Sequence, residues 1–180
     1  MEDLINEEVD MFKTLILKAE GKPFDCISQF NLPILNALWK VAVGDRFEYD
    51  DKRLASIMDG VTIQFRKSGT LAEIMSRVFP WITLLFPKFA GRDKILETTH
   101  DIVNLIKKSI KEHDETLDVN APRDFIDKFL VEMKNTRDPS SSFFGERGMT
   151  NLANTLFDLF FAGSETTSST LSWAMLFMAR

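Results

Sequence analysis

The sequence predicts an all-α protein, and three observations carry that expectation. Apolar residues recur at steps of three and four in segment after segment, Gly, Pro and Asp stand where helices should start and stop, and the stretch over residues 152–178 reads as one long buried helix. The first element covers residues 2–19, where Leu4, Ile5, Val9, Phe12, Leu15 and Ile16 form one face of an amphipathic helix that Gly21 and Pro23 stop. Residues 28–43 form a second, almost wholly apolar helix through Phe30, Leu32, Ile34, Leu35, Leu38, Trp39 and Val41, with Pro33 tolerated in its first turn. Such a helix belongs inside a larger body. A charged turn over residues 44–51 follows, and Asp51 caps a third helix that runs from Lys52 to Ser68 and ends at Gly69.

Residues 71–91 break the pattern, since Pro80 and Pro87 interrupt an apolar run containing Phe79, Trp81, Phe86 and Phe89. This predicts a loop with short helical turns, either packed down as core or exposed as an aromatic patch for a partner or a bilayer surface. Residues 94–113 read as a long helix with Ile95, Ile102, Leu105, Ile106 and Ile110 inward and Lys107, Lys108 and Lys111 on a solvated face. After a polar turn over 118–122, residues 123–134 form another helix, and 135–148, rich in Ser, Pro, Gly and charge, reads as a flexible connection. The last helix begins near Met149 and is still helical in character at Arg180, with no C-cap signal, so the chain is expected to be a piece of a longer one.

Composition narrows the function classes. A chain of 180 residues, 44% hydrophobic and 27% charged, is one globular domain by length. Its net charge of -5 and the lack of Lys/Arg clustering argue against a nucleic-acid surface and serve acidic substrates poorly. Cys26 is the one cysteine, which excludes an internal disulfide framework and a Cys-rich zinc site, and its simplest role is a small buried hydrophobe. The acidic opening MEDLINEEVD is no signal peptide, and Asp158 and Glu165 inside residues 152–178 make that stretch a buried helix rather than a membrane span. Sixteen Phe against one Tyr suggest a core or cavity wall of flat rings without hydroxyl handles, which favours apolar ligands. His100 and His113 lie on no adjacent turns and have no evident third ligand, so they read as surface histidines rather than a metal site. No G-x-S-x-G, P-loop or dinucleotide fingerprint occurs, which weakens hydrolase, kinase and dehydrogenase readings.

The chemistry-bearing feature lies in the last helix. Asp158, Ala162, Glu165, Thr166 and Ser169 fall at spacings of three and four, so one face of an apolar element is small and polar. Gly163 in mid-helix costs about 1 kcal/mol relative to Ala, and Thr166 and Thr167 are β-branched, so a distorted turn is expected there. The Thr166 hydroxyl can bond back to the carbonyl of Ala162 or leave it open to water or ligand. Two readings stand side by side: a helix-packing seam of small residues, or an acid–alcohol pair delivering protons beside a cavity.

The run Phe160-Phe161-Ala162-Gly163-Ser164-Glu165-Thr166-Thr167 resembles the long central helix of the cytochromes P450, whose pattern is Ala/Gly-Gly-x-Asp/Glu-Thr-Thr/Ser. Gly44-Asp45-Arg46-Phe47-Glu48-Tyr49-Asp50-Asp51, Thr116-Leu117-Asp118 and Pro122-Arg123-Asp124-Phe125-Ile126-Asp127 resemble, in order and spacing, the animal microsomal, family-two branch. The resemblance covers essentially the whole chain. Met1-Glu2-Asp3-Leu4-Ile5 is similar to an interior stretch shortly after that family's third major helix, so an internal fragment ending in the oxygen-binding helix is expected.

The resemblance implies the helical part of a haem-thiolate fold, without its β-sheets and haem-ligand region. It implies a monooxygenase that oxygenates small apolar molecules with O₂, using haem iron held by a cysteine thiolate and electrons from NADPH passed by NADPH-cytochrome P450 reductase. It places the protein on the endoplasmic reticulum membrane, facing the cytosol, with residues 78–91 touching the bilayer and an N-terminal anchor outside the chain. By the same resemblance Ala162 and Gly163 lie over the haem face, where small side chains leave room. Thr166 is the alcohol that hydrogen-bonds the activated oxygen and its water, Glu165 the acid that relays protons, and Phe157, Asp158 and Phe161 face substrate. The thiolate run, Phe-x-x-Gly-x-Arg-x-Cys-like, and the Glu-x-x-Arg motif have no counterpart here, and Cys26 is far in sequence from any haem-ligand motif. The isolated chain is therefore expected to be incompetent. The alternative is a non-enzymatic helical module that binds apolar ligands or partner helices through residues 152–178.

Overall fold

The structure, a computed structural model, describes residues 2–24, 29–49, 51–67, 74, 78–79 and 92–179, excepting the side chains of 52, 53, 64, 66, 67 and 92–95. Among the described residues there are six helices and no strand: α1 Glu2–Leu17, α2 Asn31–Val43, α3 Lys52–Lys67, α4 Arg92–Thr116, α5 Phe125–Asn135 and α6 Gly145–Met178. The all-α expectation holds. Two compact units are formed, one from Met1–Tyr49 with Ile106–Arg180 and one from Asp50–Leu105, and the division falls inside α4.

In the first unit α2 is the central element and packs on α1, α5 and α6. Its sequence explains this: a helix apolar on nearly every side must be surrounded. Leu35, Trp39, Ala42 and Val43 are buried, and Trp39 meets Phe160 of α6 edge-on at 5.7 Å. Asn36 is buried too and is satisfied by the loop that follows, donating to the Phe47 carbonyl at 3.1 Å and accepting from the Phe47 N–H at 2.8 Å. Gly44 ends the helix in the left-handed region at φ 72°, where its N–H reaches the Lys40 carbonyl.

The amphipathic face expected of α1 is only partly covered. Phe12 is buried and stacks on Phe30 at 4.3 Å, whereas Ile5 and Val9 remain exposed and Glu8 is buried in their place. The Glu8 carboxylate accepts from the Tyr49 hydroxyl at 2.6 Å and pairs with Arg46 at 3.2 Å, which ties α1 to the loop after α2. Burial, and next the Glu8 bond, push the Tyr49 phenol well above its ordinary range. The helix stops two residues before the predicted end, because its last turn tightens to i→i−3 bonds and Glu20 and Gly21 take positive φ.

The helix expected from Arg123 begins at Phe125, because Asp124 is its N-cap and accepts from the Asp127 N–H at 3.0 Å. The connection expected over 135–148 contains hydrogen-bonded turns at Asp138–Ser141 and Ser141–Phe144, and α6 starts within it at Gly145 rather than near Met149. From there α6 is uninterrupted α-helix to Met178, so the distorted turn expected around Gly163 does not occur. Its buried seam is Gly148, Leu152, Leu156, Phe160, Ser164 and Ser168, one residue every four.

In the second unit Leu54, Ile57, Met58 and Val61 of α3 are buried, and a Cβ at Gly60 would lie 2.0 Å from the Thr98 hydroxyl, so the helices touch there. Asp51 caps α3 as expected, accepting from the Leu54 N–H at 3.1 Å. Ile102, Ile106 and Ile110 of α4 are buried and Lys107, Lys108 and Lys111 exposed, as the periodicity predicts. Of the aromatic stretch only Val78 and Phe79 are described, both exposed; Trp81, Phe86 and Phe89 lie outside the described residues, as does Cys26.

Candidate functional site

The polar residues singled out on α6 divide between two directions. Asp158, Ala162, Thr166 and Ser169 are exposed, turned away from the buried seam of Leu156, Phe160, Ser164 and Ser168. That follows from the helix itself: residues two apart project roughly 200° from one another at about 100° per residue. Phe157 and Phe161, flanking this face, are half-buried and stack nearly parallel, 5.7 Å apart at 7°. An acid, a small side chain and an alcohol thus share one side of α6, with the candidate substrate-facing rings of Phe161 and Phe157 round its edge.

Thr166 takes the first of its two options. Its hydroxyl donates to the Ala162 carbonyl at 2.8 Å, and the Thr170 hydroxyl in turn donates to the Thr166 carbonyl at 2.9 Å. Ser164 does the same within the seam, donating to the Phe160 carbonyl at 2.9 Å, which removes an unsatisfied hydroxyl from a buried position. These local bonds satisfy the three hydroxyls within the helix's own turns.

Glu165 turns toward α2. Its Oε2 accepts from the Asn31 side-chain amide at 3.4 Å, and both residues are partly shielded from solvent. The acid and the alcohol, neighbours in sequence, therefore have different partners in this structure. Gly163 also faces α2: a Cβ there would run into Leu38 Cδ1, so the small residue leaves room for the Leu38 side chain at the α2–α6 crossing. Asn31 was missed by sequence reasoning, because nothing in its local pattern links it to a carboxylate 134 positions away.

Next to this crossing lies an apolar cavity of about 550 Å³ bounded by three helices. Ile5 and Val9 of α1, Ile34 and Leu38 of α2, and Thr167 and Leu171 of α6 line it. The exposed half of the α1 stripe is thus a cavity wall.

His113 is a further correction, since the expected surface histidine is largely buried. Its Nε2 is 2.9 Å from Asp124 Oδ2 and its Nδ1 2.7 Å from the Ser109 carbonyl. His113, Asp124 and Asp127 bring ligand-type atoms within 4.8 Å of one another, but protein groups already hold them. Arg123 donates to both Asp127 oxygens, at 2.6 and 2.9 Å, and its backbone N–H adds a third bond at 3.0 Å. The Arg123 guanidinium holds the Asp127 carboxyl below the usual carboxylate range, and Asp127 in turn raises Arg123. The cluster is a joint between α4 and α5. His100, by contrast, is exposed beside Asn104.

Comparison with known proteins identifies the family. The family model for cytochrome P450 matches residues 1–180. Cytochrome P450 2F2 of Mus musculus is 35% identical over the whole of this chain and 36% of its own length. Cytochrome P450 2J2 of Homo sapiens is 34% identical over 99% of the chain and 35% of its own, and cytochrome P450 2C28 of Mesocricetus auratus is 35% identical over 100% and 36%. The chain spans about a third of the length of these relatives. With the motif run intact on one helix and the match unbroken from first residue to last, the chain belongs to the cytochrome P450 family.

Proposed function

We propose that this chain is the helical part of a haem-thiolate monooxygenase that oxygenates small apolar organic molecules, with α6 supplying its proton-handling face. The observation that carries this reading is the grouping of Asp158, Ala162 and Thr166 on the outward side of α6, beside the stacked Phe157 and Phe161. A planar macrocycle needs an open, nearly flat surface with one small side chain at closest approach, and Ala162 on an exposed face fits that need. Bound there, haem would supply the binding and activation of O₂. Gly163 supports the same place from behind, since its lack of a side chain lets α6 lie close on α2.

The chain's own residues handle protons and exclude water. Thr166 holds a proton at Oγ1, now committed to the Ala162 carbonyl, and a turn about χ1 redirects it outward. Glu165 takes up and releases a proton at its carboxylate, linked to Thr166 through water, because adjacent helix residues do not face each other. Phe157 and Phe161 present apolar rings to a substrate and keep its surroundings dry, while Asp158 contacts its polar edge.

Electrons come from NADPH through NADPH-cytochrome P450 reductase. The whole protein sits at the endoplasmic reticulum membrane with this region on the cytosolic face, held by an anchor outside the chain and by residues 78–91. Exposure of Val78 and Phe79 supports a bilayer contact, and among the described residues no helix is long and apolar enough to cross a membrane. The apolar cavity between α1, α2 and α6 favours a second reading, a helical module that binds apolar ligands or partner helices without catalysis.

Thr166→Ala in a completed, haem-loaded enzyme separates the two. The enzyme reading expects oxygen consumption to persist while product per O₂ falls at least tenfold and peroxide rises, the order that loss of a positioned proton donor produces. Unchanged coupling removes Thr166 from proton delivery.

A further inference from the structure

We infer that Asn31 is the positioning residue for Glu165, holding its carboxylate at the amino end of α2 in a form that tolerates both protonation states. The inference rests on Glu165 being the relay acid. Asn31 opens α2, is 4% exposed, and aims Nδ2 at Glu165 Oε2 across 3.4 Å. Phe30, the N-cap residue, contributes no side-chain bond to that end of the helix. Contacts of the α2–α6 crossing surround the pair: the Leu38 side chain lies over Gly163, Trp39 meets Phe160 edge-on, and Ser164, the residue before Glu165, is buried. Rotation of α6 cannot carry Glu165 away from α2 without breaking those contacts.

The choice of an amide has a chemical consequence. A lysine or arginine at position 31 would bind only the carboxylate and trap it as the anion. Asparagine offers an N–H₂ donor to the carboxylate and, after an amide flip, a carbonyl acceptor to the protonated acid. A relay group passes through both states in each cycle, so a partner that serves both keeps it in place without arresting it.

The test uses the completed, haem-loaded enzyme labelled with 15N at asparagine, following the Asn31 side-chain amide signals against pH. The expected result is a single titration step in those signals that vanishes in Glu165→Gln, with the backbone spectrum otherwise retained. Asn31 signals that are insensitive to pH, or that titrate unchanged in Glu165→Gln, overturn the pairing. In the completed enzyme, Asn31→Leu should shift the pH profile of coupling and lower coupled turnover several-fold at unchanged substrate KM; a change in KM alone overturns the positioning role. If Asn31 follows Glu165 but Glu165→Gln leaves coupling intact, the pairing stands and the relay reading of Glu165 is what fails.

Discussion

Thr166 and Glu165 stand side by side in sequence, yet one bonds within its own helix and the other reaches a different helix. The options at Thr166 were legible, because a threonine four residues after a carbonyl has few others. The direction of Glu165 was not, since it depends on where α2 lies, and helix crossing is a tertiary fact. His113 was misread for the same reason: Ser109 lies one turn back on the same helix, but Asp124 becomes a neighbour only after α4 ends and the chain turns back. The Asp124 cap had a readable cue, an Asp with a second Asp three residues on. At Asp127 the outcome of substitution has a definite sign. The Arg123 bond lowers its carboxyl in the folded state, so the stability it contributes is present above the unfolded value of about 3.9 and is lost as pH falls through the lower folded value. Asp127→Ala should cost about 1.5–3 kcal/mol at neutral pH, since Asp127 is fully buried and holds charge-assisted bonds. Urea titrations should show the gap between wild type and variant closing as the pH is lowered below that range.

Helices were the readable scale. Apolar spacing, continuous apolar runs and cap or breaker residues together located the six described helices, and breakers such as Gly21 and Gly44 marked ends to within a few residues. What spacing could not reveal is which apolar face meets protein. Ile5 and Val9 obey the same rule as Phe12 but line a cavity, because coverage is decided by neighbouring elements rather than by periodicity. Gly163 invited a reading of weak helix, whereas its function in the fold is close approach to Leu38. Gly163→Val should therefore destabilise the chain by about 1–3 kcal/mol through overpacking. Adding Leu38→Ala should recover part of that loss, a non-additivity that a double-mutant cycle in denaturant measures directly. Strict additivity would mean that the two positions do not share the crossing.

For the molecule as a whole, the family was legible from a few short runs, while the division into two units was not, since it falls within a helix that reads as one element. Its surface carries a further signature. Leu171, Trp173, Leu176, Phe177 and Met178 on the later turns of α6 are exposed, with Trp173 60% and Phe177 66% accessible and their rings 6.2 Å apart. Apolar surface of this kind promotes association. Iodide should quench Trp173 and spare Trp39, which is 5% exposed, when single-tryptophan variants are compared. Trp173→Glu should lower self-association in sedimentation at an unchanged Tm; association that persists would locate the sticky surface elsewhere.

Asp124 connects distant parts of the chain in a way that bears on the order of folding. One of its oxygens caps α5 through the Asp127 N–H, and the other meets His113 at the end of α4 and stands 3.0 Å from where a Cβ on Gly44 would lie. The chain departs at Gly44 and must return at His113 and Asp124 before this carboxylate has all its neighbours, so a large loop closes first. The expectation is that this contact completes after the rate-limiting barrier, so that its loss accelerates unfolding and leaves refolding untouched. Asp124→Ala should raise the unfolding rate in stopped-flow experiments by roughly tenfold, the kinetic equivalent of a lost cap. An equal slowing of refolding would instead place this joint in the folding nucleus. Faster unfolding at unchanged refolding would make the carboxylate a latch on the native state, governing how long the fold lasts rather than how quickly it is reached.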